Sequence, residues 1–389
     1  MKRIITCSDG TWNTINPDRG TNVIKLYDAI SKMGVDADGN NIAQVKCYDE
    51  GVGTGYSLKD KIFGGATGSG IDKNIKDMYI FIILNYDPGD ELYLFGFSRG
   101  AYTARSLSGL IRNSGILLPQ NLDLVDKAYE LYRDKNDYSS PDSDLMISFR
   151  NKFAVEEKSP IHFIGVWDTV GALGIPLPWY RILNMKKYKF HDVKLSSYVK
   201  YAYHALAIDE KRKLFDPTLW TQSYKAIADP GNDQILEQCW FAGTHSNVGG
   251  GYPDSGLSNI ALQWLLKKAK GAGLGFTDTP VGAARACDLG KVVNSYTLPY
   301  WFWRPKPRKL LRTERSNEII DESVWERLAS VPGYRTRPLV LIDNLKENGH
   351  KPPFKLNLLK ETLLGVPELI AIYFLIILFV GVLLLAKMA

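Results

Sequence analysis

The most constraining feature of this chain is a junction. The apolar run Leu92-Tyr93-Leu94-Phe95 passes straight into Gly96-Phe97-Ser98-Arg99-Gly100 and then into residues 101–111, where Ala101, Ala104, Leu107, Leu110 and Ile111 share one helical stripe. A buried strand, a sharp turn and a helix in that order lift the turn residue above the end of a sheet. Glycine two places before and two places after it removes side chains that would collide across so tight a bend. A Gly-x-Ser-x-Gly pentapeptide alone would turn up by chance in a chain of this length roughly one time in five. The flanking strand and helix are what make Ser98 a candidate nucleophile.

Four other strand-like runs, at 3–8, 43–48, 161–167 and 238–242, also end on polar or turn-forming residues, and helical patterns lie between them at 22–33 and 70–85. Alternating strands and helices predict a mostly parallel sheet with helices on both faces, an α/β fold of the α/β-hydrolase type. In such sheets ligands bind beyond the carboxyl ends of the strands, so all five polar run-offs are expected at one edge. Residues 121–155 read as a helical insertion. Residues around 176–235, rich in Tyr, Lys and Pro, read as a cap over the site within a domain spanning 1–345.

A nucleophilic serine needs a base, and the chain has five histidines to choose from. His350 falls in a linker, His162 opens a strand at its remote end, and His191 lies in the irregular cap region. His245 follows a strand directly, in Gly243-Thr244-His245-Ser246-Asn247-Val248-Gly249-Gly250-Gly251, where glycines let a loop fold close to the serine. His204, in Tyr201-Ala202-Tyr203-His204-Ala205-Leu206, is the alternative base, though it reads rather as a packed helix residue. For the orienting acid, Asp168 ends Phe163-Ile164-Gly165-Val166-Trp167 at the active edge, although an aspartate there also serves as a helix N-cap. Asp254 is the alternative acid. The order Ser98, Asp168, His245 agrees with that of α/β-hydrolases. The oxyanion requires preorganised donors, expected from the Arg99 N–H and from the Gly10-Thr11 loop, with Asp9 holding that loop or binding a cation.

Other chemistries find less support. The glycine runs at 51–55 and 64–70 lack the Lys-Ser/Thr of a P-loop, and no Gly-x-Gly-x-x-Gly follows a strand. Cys7, Cys47, Cys239 and Cys287 show neither metal nor redox spacing and read as small buried hydrophobes in a reducing compartment. The reading therefore includes no metal and no cofactor. A net charge of +6 over 389 residues is mild for a nucleic-acid binder and suits an anionic membrane surface better.

The segments Asp9-Gly10-Thr11-Trp12-Asn13, Asp49-Glu50-Gly51-Val52-Gly53-Thr54, Gly96-Phe97-Ser98-Arg99-Gly100-Ala101-Tyr102, Val166-Trp167-Asp168-Thr169-Val170-Gly171 and Gly243 to Tyr252 carry a resemblance. Over roughly residues 1–270 the chain resembles the α/β-hydrolase family that includes the bacterial type VI secretion phospholipase effectors. The resemblance implies a Ser–Asp–His hydrolase, with Ser98, Asp168 and His245 at the triad positions, and a lipid ester substrate, typically phospholipid.

The end of the chain points to a membrane. Residues 369–386, LIAIYFLIILFVGVLLLA, are eighteen uncharged positions that reach the lower limit for a bilayer-spanning helix. With Lys346, Lys351, Lys355 and Lys360 upstream, they predict a tail anchor behind a linker at 346–368 and a catalytic domain facing the cytoplasm. Tyr300-Trp301-Phe302-Trp303-Arg304-Pro305-Lys306-Pro307-Arg308-Lys309 interleaves aromatics with cations. It suits a lipid headgroup boundary or, equally, an aromatic strand beside a solvated basic loop. The expectation is a membrane-anchored serine hydrolase of lipid esters, without an identifiable inhibitory partner. The alternatives are an esterase or thioesterase of soluble substrates and a catalytically silent membrane-tethered scaffold.

Overall fold

Buried branched, leucine and aromatic side chains fill the strands β1 (Arg3–Ser8), β4 (Glu91–Phe97) and β5 (Ile161–Trp167), the pattern of strands covered on both faces. With β2 (Met33–Val35), β3 (Asn41–Asp49), β6 (Val199–Ala207), β7 (Ile235–Phe241) and β8 (Glu318–Ile320) they form one sheet, in the order β2-β3-β1-β4-β5-β6-β7-β8. All neighbouring pairs are parallel except β2 with β3. The structure is a computed structural model. It describes residues 1–10, 20–36, 38–51, 69–134, 136–170, 194–229, 231–277, 287, 289–297, 305–310 and 314–334.

Period-two alternation sends neighbouring side chains to opposite layers. Ile4, Leu92, Leu94 and Ile164 pack against Ile75, Tyr79 and Ile82 of α2 (Ser69–Asn85) and against Ala104 and Leu107 of α3 (Arg99–Ser114). On the other face Ile5, Cys7, Tyr93, Phe95 and Phe163 meet Val23 and Leu26 of α1 (Asn22–Ala29) and Ala261, Leu262 and Leu265 of a later helix at Gly256–Gly271. In the stretch read as a helical insertion, α4 (Val125–Arg133) and α5 (Asp144–Phe153) form; Val125, Ala128 and Tyr129 of α4 join the first of these layers. Among the described residues there are also the helices α6 (Tyr224–Ala228), α7 (His245–Gly249) and α9 (Glu322–Ser330), with Gly256–Gly271 as α8.

Two expectations need correction. Residues 199–207 were expected in a cap, and His204 on a helix; instead they form β6, between β5 and β7. Alanine is a weak strand former, but Ala202, Ala205 and Ala207 are wholly buried, and at a crowded central position small side chains fit where the residue's own preference is overridden. Of the rest of the expected cap, 176–193 lies outside the described residues, and 208–235 holds a short helix at Tyr224–Ala228 before β7 begins. The second correction concerns 22–33, where the helix stops at Ala29 and Met33 already belongs to β2.

The chain divides into the units Met1–His350 and Lys351–Ala389. Among the described residues no helix is long and apolar enough to cross a membrane. The expected anchor at 369–386 and the linker before it lie outside those residues.

Candidate active site

The parallel register brings the strand ends to one edge: Ser8 opposite Asp49 and Gly96, Phe97 opposite Trp167, and Trp167 opposite Ala205. Ser98 follows Phe97 at φ 58° and ψ −116°, a region that only a strained turn imposes on a residue with a side chain. Its N–H donates to the Trp167 carbonyl (3.0 Å), which ties the elbow to the neighbouring strand end. The flanking glycines are steric necessities. A Cβ on Gly96 would collide with the Gly100 carbonyl, and one on Gly100 with the carbonyl of Ser8.

His245 begins α7, behind Gly243 in a left-handed turn, and its Nε2 lies 2.8 Å from Ser98 Oγ. Its Nδ1 lies 2.6 Å from Asp168 Oδ2. With Asp168 facing Nδ1, that nitrogen carries the proton and Nε2 is left to accept one from the serine. Phe97 and Phe215 enclose the imidazole with ring centroids at 4.7 and 5.0 Å, and Glu210 Oε2 accepts the His245 backbone N–H (3.3 Å). Burial pulls His245 below the ordinary imidazole range, against the upward pull of Asp168, so the ring is neutral at pH 7. Burial alone would raise the Asp168 carboxyl; the Arg308 guanidinium and the His245 ring overcome it and hold the group well below the usual carboxylate range.

The sequence motifs held no sign of Arg308 here. Its Nη2 donates to Asp168 Oδ2 (2.8 Å) and to the Phe215 carbonyl (2.6 Å), and its Nη1 donates to Asp168 Oδ1 and to the Ala207 carbonyl (2.8 Å). The residue is 2% exposed and Asp168 wholly buried. Arg308 therefore does not face a headgroup layer, as its aromatic and basic stretch allowed. Arg304 and the four aromatics before it lie outside the described residues.

The alternatives are placed elsewhere. Asp254 accepts the N–H groups of Gly256 (3.0 Å) and Lys291 (2.8 Å) and serves those turns. His204 uses both ring nitrogens: Nε2 accepts from the Thr169 N–H (3.0 Å) and Nδ1 donates to Gln238 Oε1 (3.2 Å). It holds the residue that follows Asp168. His162 contacts Ala272 and Glu91 at the far end of the strands, and His191 and His350 lie outside the described residues. On the oxyanion side, Arg99 opens α3, while the Gly10 N–H donates to Asp9 Oδ1 (2.6 Å) and so serves the carboxylate of its own loop. Asp9 Oδ2 also accepts from Tyr48 Oη (2.7 Å) and from Thr21, in keeping with a loop-holding role. Thr11 lies outside the described residues. Cys7 and Cys239 are buried and Cys47 and Cys287 half-buried, all four as free thiols. A cavity of about 610 Å³ opens along the later turns of α3, lined by Arg105, Arg112 and Trp220 among others, and Ser98, Asp168 and His245 take no part in it.

Fold and site together define the class: an α/β protein that presents a serine on a strand-to-helix elbow, with a histidine and a buried aspartate in line behind it. More narrowly, the chain belongs to the family of Tle1-like phospholipase effector catalytic domains of the type VI secretion system, which matches residues 2–268. An uncharacterized protein of Saccharomyces cerevisiae is 29% identical over 243 residues, which is 57% of this chain and 33% of the yeast protein. The chain thus spans about a third of the curated relative that it matches. Among solved structures, it is similar to an uncharacterized protein from Pseudomonas aeruginosa (TM-score 0.40, 18% identity, 74% of this chain and 48% of that one). It is also similar to the Tle1 effector bound to the VgrG spike from the type 6 secretion system (TM-score 0.33, 18% identity, 64% and 51%).

Proposed function

We propose that this protein is a membrane-anchored serine hydrolase that cleaves carboxylic ester bonds of membrane lipids, with phospholipid as the substrate class. The observation that carries the reading is the unbroken line from Ser98 Oγ to His245 Nε2 at 2.8 Å and from His245 Nδ1 to Asp168 at 2.6 Å, mounted on a strained elbow. Ser98 attacks the ester carbonyl as its proton passes to His245, and Asp168 stabilises the imidazolium that forms. The oxyanion takes the N–H of Arg99 and a donor from the loop at Thr11. His245 then protonates the leaving alcohol, and an acyl group remains on Ser98. Water, deprotonated by the same imidazole, attacks the acyl carbonyl; the imidazolium returns that proton to Ser98 Oγ as the acyl–oxygen bond breaks, and the acid leaves and ionises to a carboxylate. None of these steps calls on a cofactor.

The apolar segment 369–386 would hold the catalytic unit at a cytoplasm-facing bilayer and keep the concentration of ester high without added contacts. The test is product analysis on phospholipid vesicles with the full chain in detergent. Ser98→Ala and His245→Ala are each expected to lower turnover by about three orders of magnitude or more, with unchanged melting behaviour. Wild-type turnover in either variant rejects the mechanism. Failure of a fluorophosphonate to label Ser98 in the wild type would instead point to a silent scaffold, and equal preference for short soluble esters to a general esterase.

A further inference from the structure

The segment that follows residue 268, beyond the family match, is laced onto the acid and base rather than merely attached to the domain. Val293 and Lys291 exchange hydrogen bonds with Thr244 and Asn247, the residues on either side of His245 and Ser246 (3.1–3.2 Å). Ser295 Oγ donates to Glu210 (3.0 Å), the carboxylate that receives the His245 N–H. Tyr334 Oη donates to Asp209 Oδ2 (2.8 Å), which in turn accepts the Gly243 N–H (2.7 Å). Arg308 makes the most direct contact of all, with two nitrogens on the two oxygens of Asp168.

We propose that Arg308 is a positioning residue for the hydrolytic reaction, clamping Asp168 in the orientation that faces His245 and setting the proton affinity of that ring. The proposal rests on the functional reading above. Its physical basis is the fork. A guanidinium gives two parallel donors to one carboxylate and has further N–H groups for the Ala207 and Phe215 carbonyls, so Asp168 is fixed against rotation on both sides. A lysine ammonium at the same place keeps the charge but lacks the planar fork. The charge acts separately from the geometry. The groups facing His245 are Asp168 at the end of β5 and Glu210 and Arg212 after β6, with Phe97 and Phe215 as apolar walls, while Arg308 on the late segment contacts Asp168. A cation on the far side of Asp168 offsets part of the attraction that the carboxylate exerts on an imidazolium. Without it, the Asp168–His245 pair binds its proton more tightly.

The experiment is ring-¹⁵N NMR titration of histidines in the full chain in detergent, with the His245 signal assigned by its loss in His245→Ala. In Arg308→Gln the midpoint of His245 is expected to rise by about one pH unit. In Arg308→Lys it stays within a few tenths of a unit of the wild type, while kcat on phospholipid falls about tenfold or more at unchanged KM. A midpoint in Arg308→Gln equal to the wild type, in protein that melts cooperatively, overturns the proposal. If Arg308→Gln does not fold, Arg308→Lys decides: wild-type kcat there overturns it. Should the wild type show no Ser98-dependent turnover, the functional reading falls, and the ring titration still reports whether Arg308 governs His245.

Discussion

Ser98 and Asp168 both sit at positive φ, 58° and 40°, at the ends of adjacent parallel strands. Two side-chain-bearing residues in that region imply surroundings that hold them there. For Ser98 these include the Trp167 carbonyl and the two glycines, and for Asp168 the Ala207 N–H (3.0 Å) and Arg308. The serine, aspartate and histidine were legible because each stands immediately after, or within a few residues of, an apolar strand, and a parallel sheet collects such positions. Arg308 was not legible. In Arg304-Pro305-Lys306-Pro307-Arg308-Lys309 nothing separates the buried arginine from cations such as Lys306, which is half-exposed and paired with Asp216 (2.7 Å). At this scale the lowered proton affinity of His245 makes a prediction. In the proposed mechanism His245 takes the serine proton as the neutral ring, and a depressed affinity keeps it neutral further into acid. Labelling of Ser98 by a fluorophosphonate is therefore expected to be constant near pH 7 and to fall only below pH about 6.5, the ordinary imidazole value. A fall beginning at pH 7.5 would contradict the reading.

β6 shows how an element's environment can override its composition. Its Tyr-Ala-Tyr-His-Ala-Leu-Ala stretch lacks the β-branched residues that mark a strand, and its place between β5 and β7 is set by neighbours distant in sequence. His204 on this strand joins three elements: Thr169 after β5, Gln238 on β7, and through Gln238 the N–H of Trp220 (2.9 Å). Burial, with the Arg105 charge adding to it, brings His204 from its ordinary 6.5 down to about 3. The unfolded chain therefore binds a proton here below pH 6.5 that the folded protein refuses. Stability falls as pH drops from 6.5 toward 3, by up to about 1.4 kcal/mol per pH unit from this one group. Denaturant melts at pH 7 and pH 5 are expected to show that loss, and His204→Gln, though less stable at pH 7, to lose about one proton's worth of the slope. Equal slopes in the two proteins would place the acid sensitivity elsewhere. β8 and α9 bring their own support, since Trp240 Nε1 donates to Glu318 (2.8 Å) and Asp321 N–H to the Trp240 carbonyl (3.0 Å), where β7 already follows the run read at 238–242.

At the scale of the molecule, the proposed anchor and the catalytic unit divide between the two segments Met1–His350 and Lys351–Ala389. The full chain is expected to co-float with phospholipid vesicles in a density gradient and to resist carbonate extraction, whereas a chain lacking 369–386 stays in the soluble fraction with its short-ester activity intact. Equal flotation of both proteins would remove the anchor from the proposal. The sequence by itself determined the layered α/β plan, because the alternation of apolar runs with helical stripes is a local property that each segment carries alone. It also determined which serine, aspartate and histidine to examine, since their strand-end positions follow from the same pattern. What only the tertiary structure decided was pairing across distance. Asp168 rather than Asp254 faces His245. His204 accepts the N–H of the residue after Asp168 and donates to Gln238. Arg308, 140 residues from the aspartate it holds, acquires that partner by burial alone. A buried charge must find its counter-charge wherever the packed chain places one, and no local pattern records where that will be.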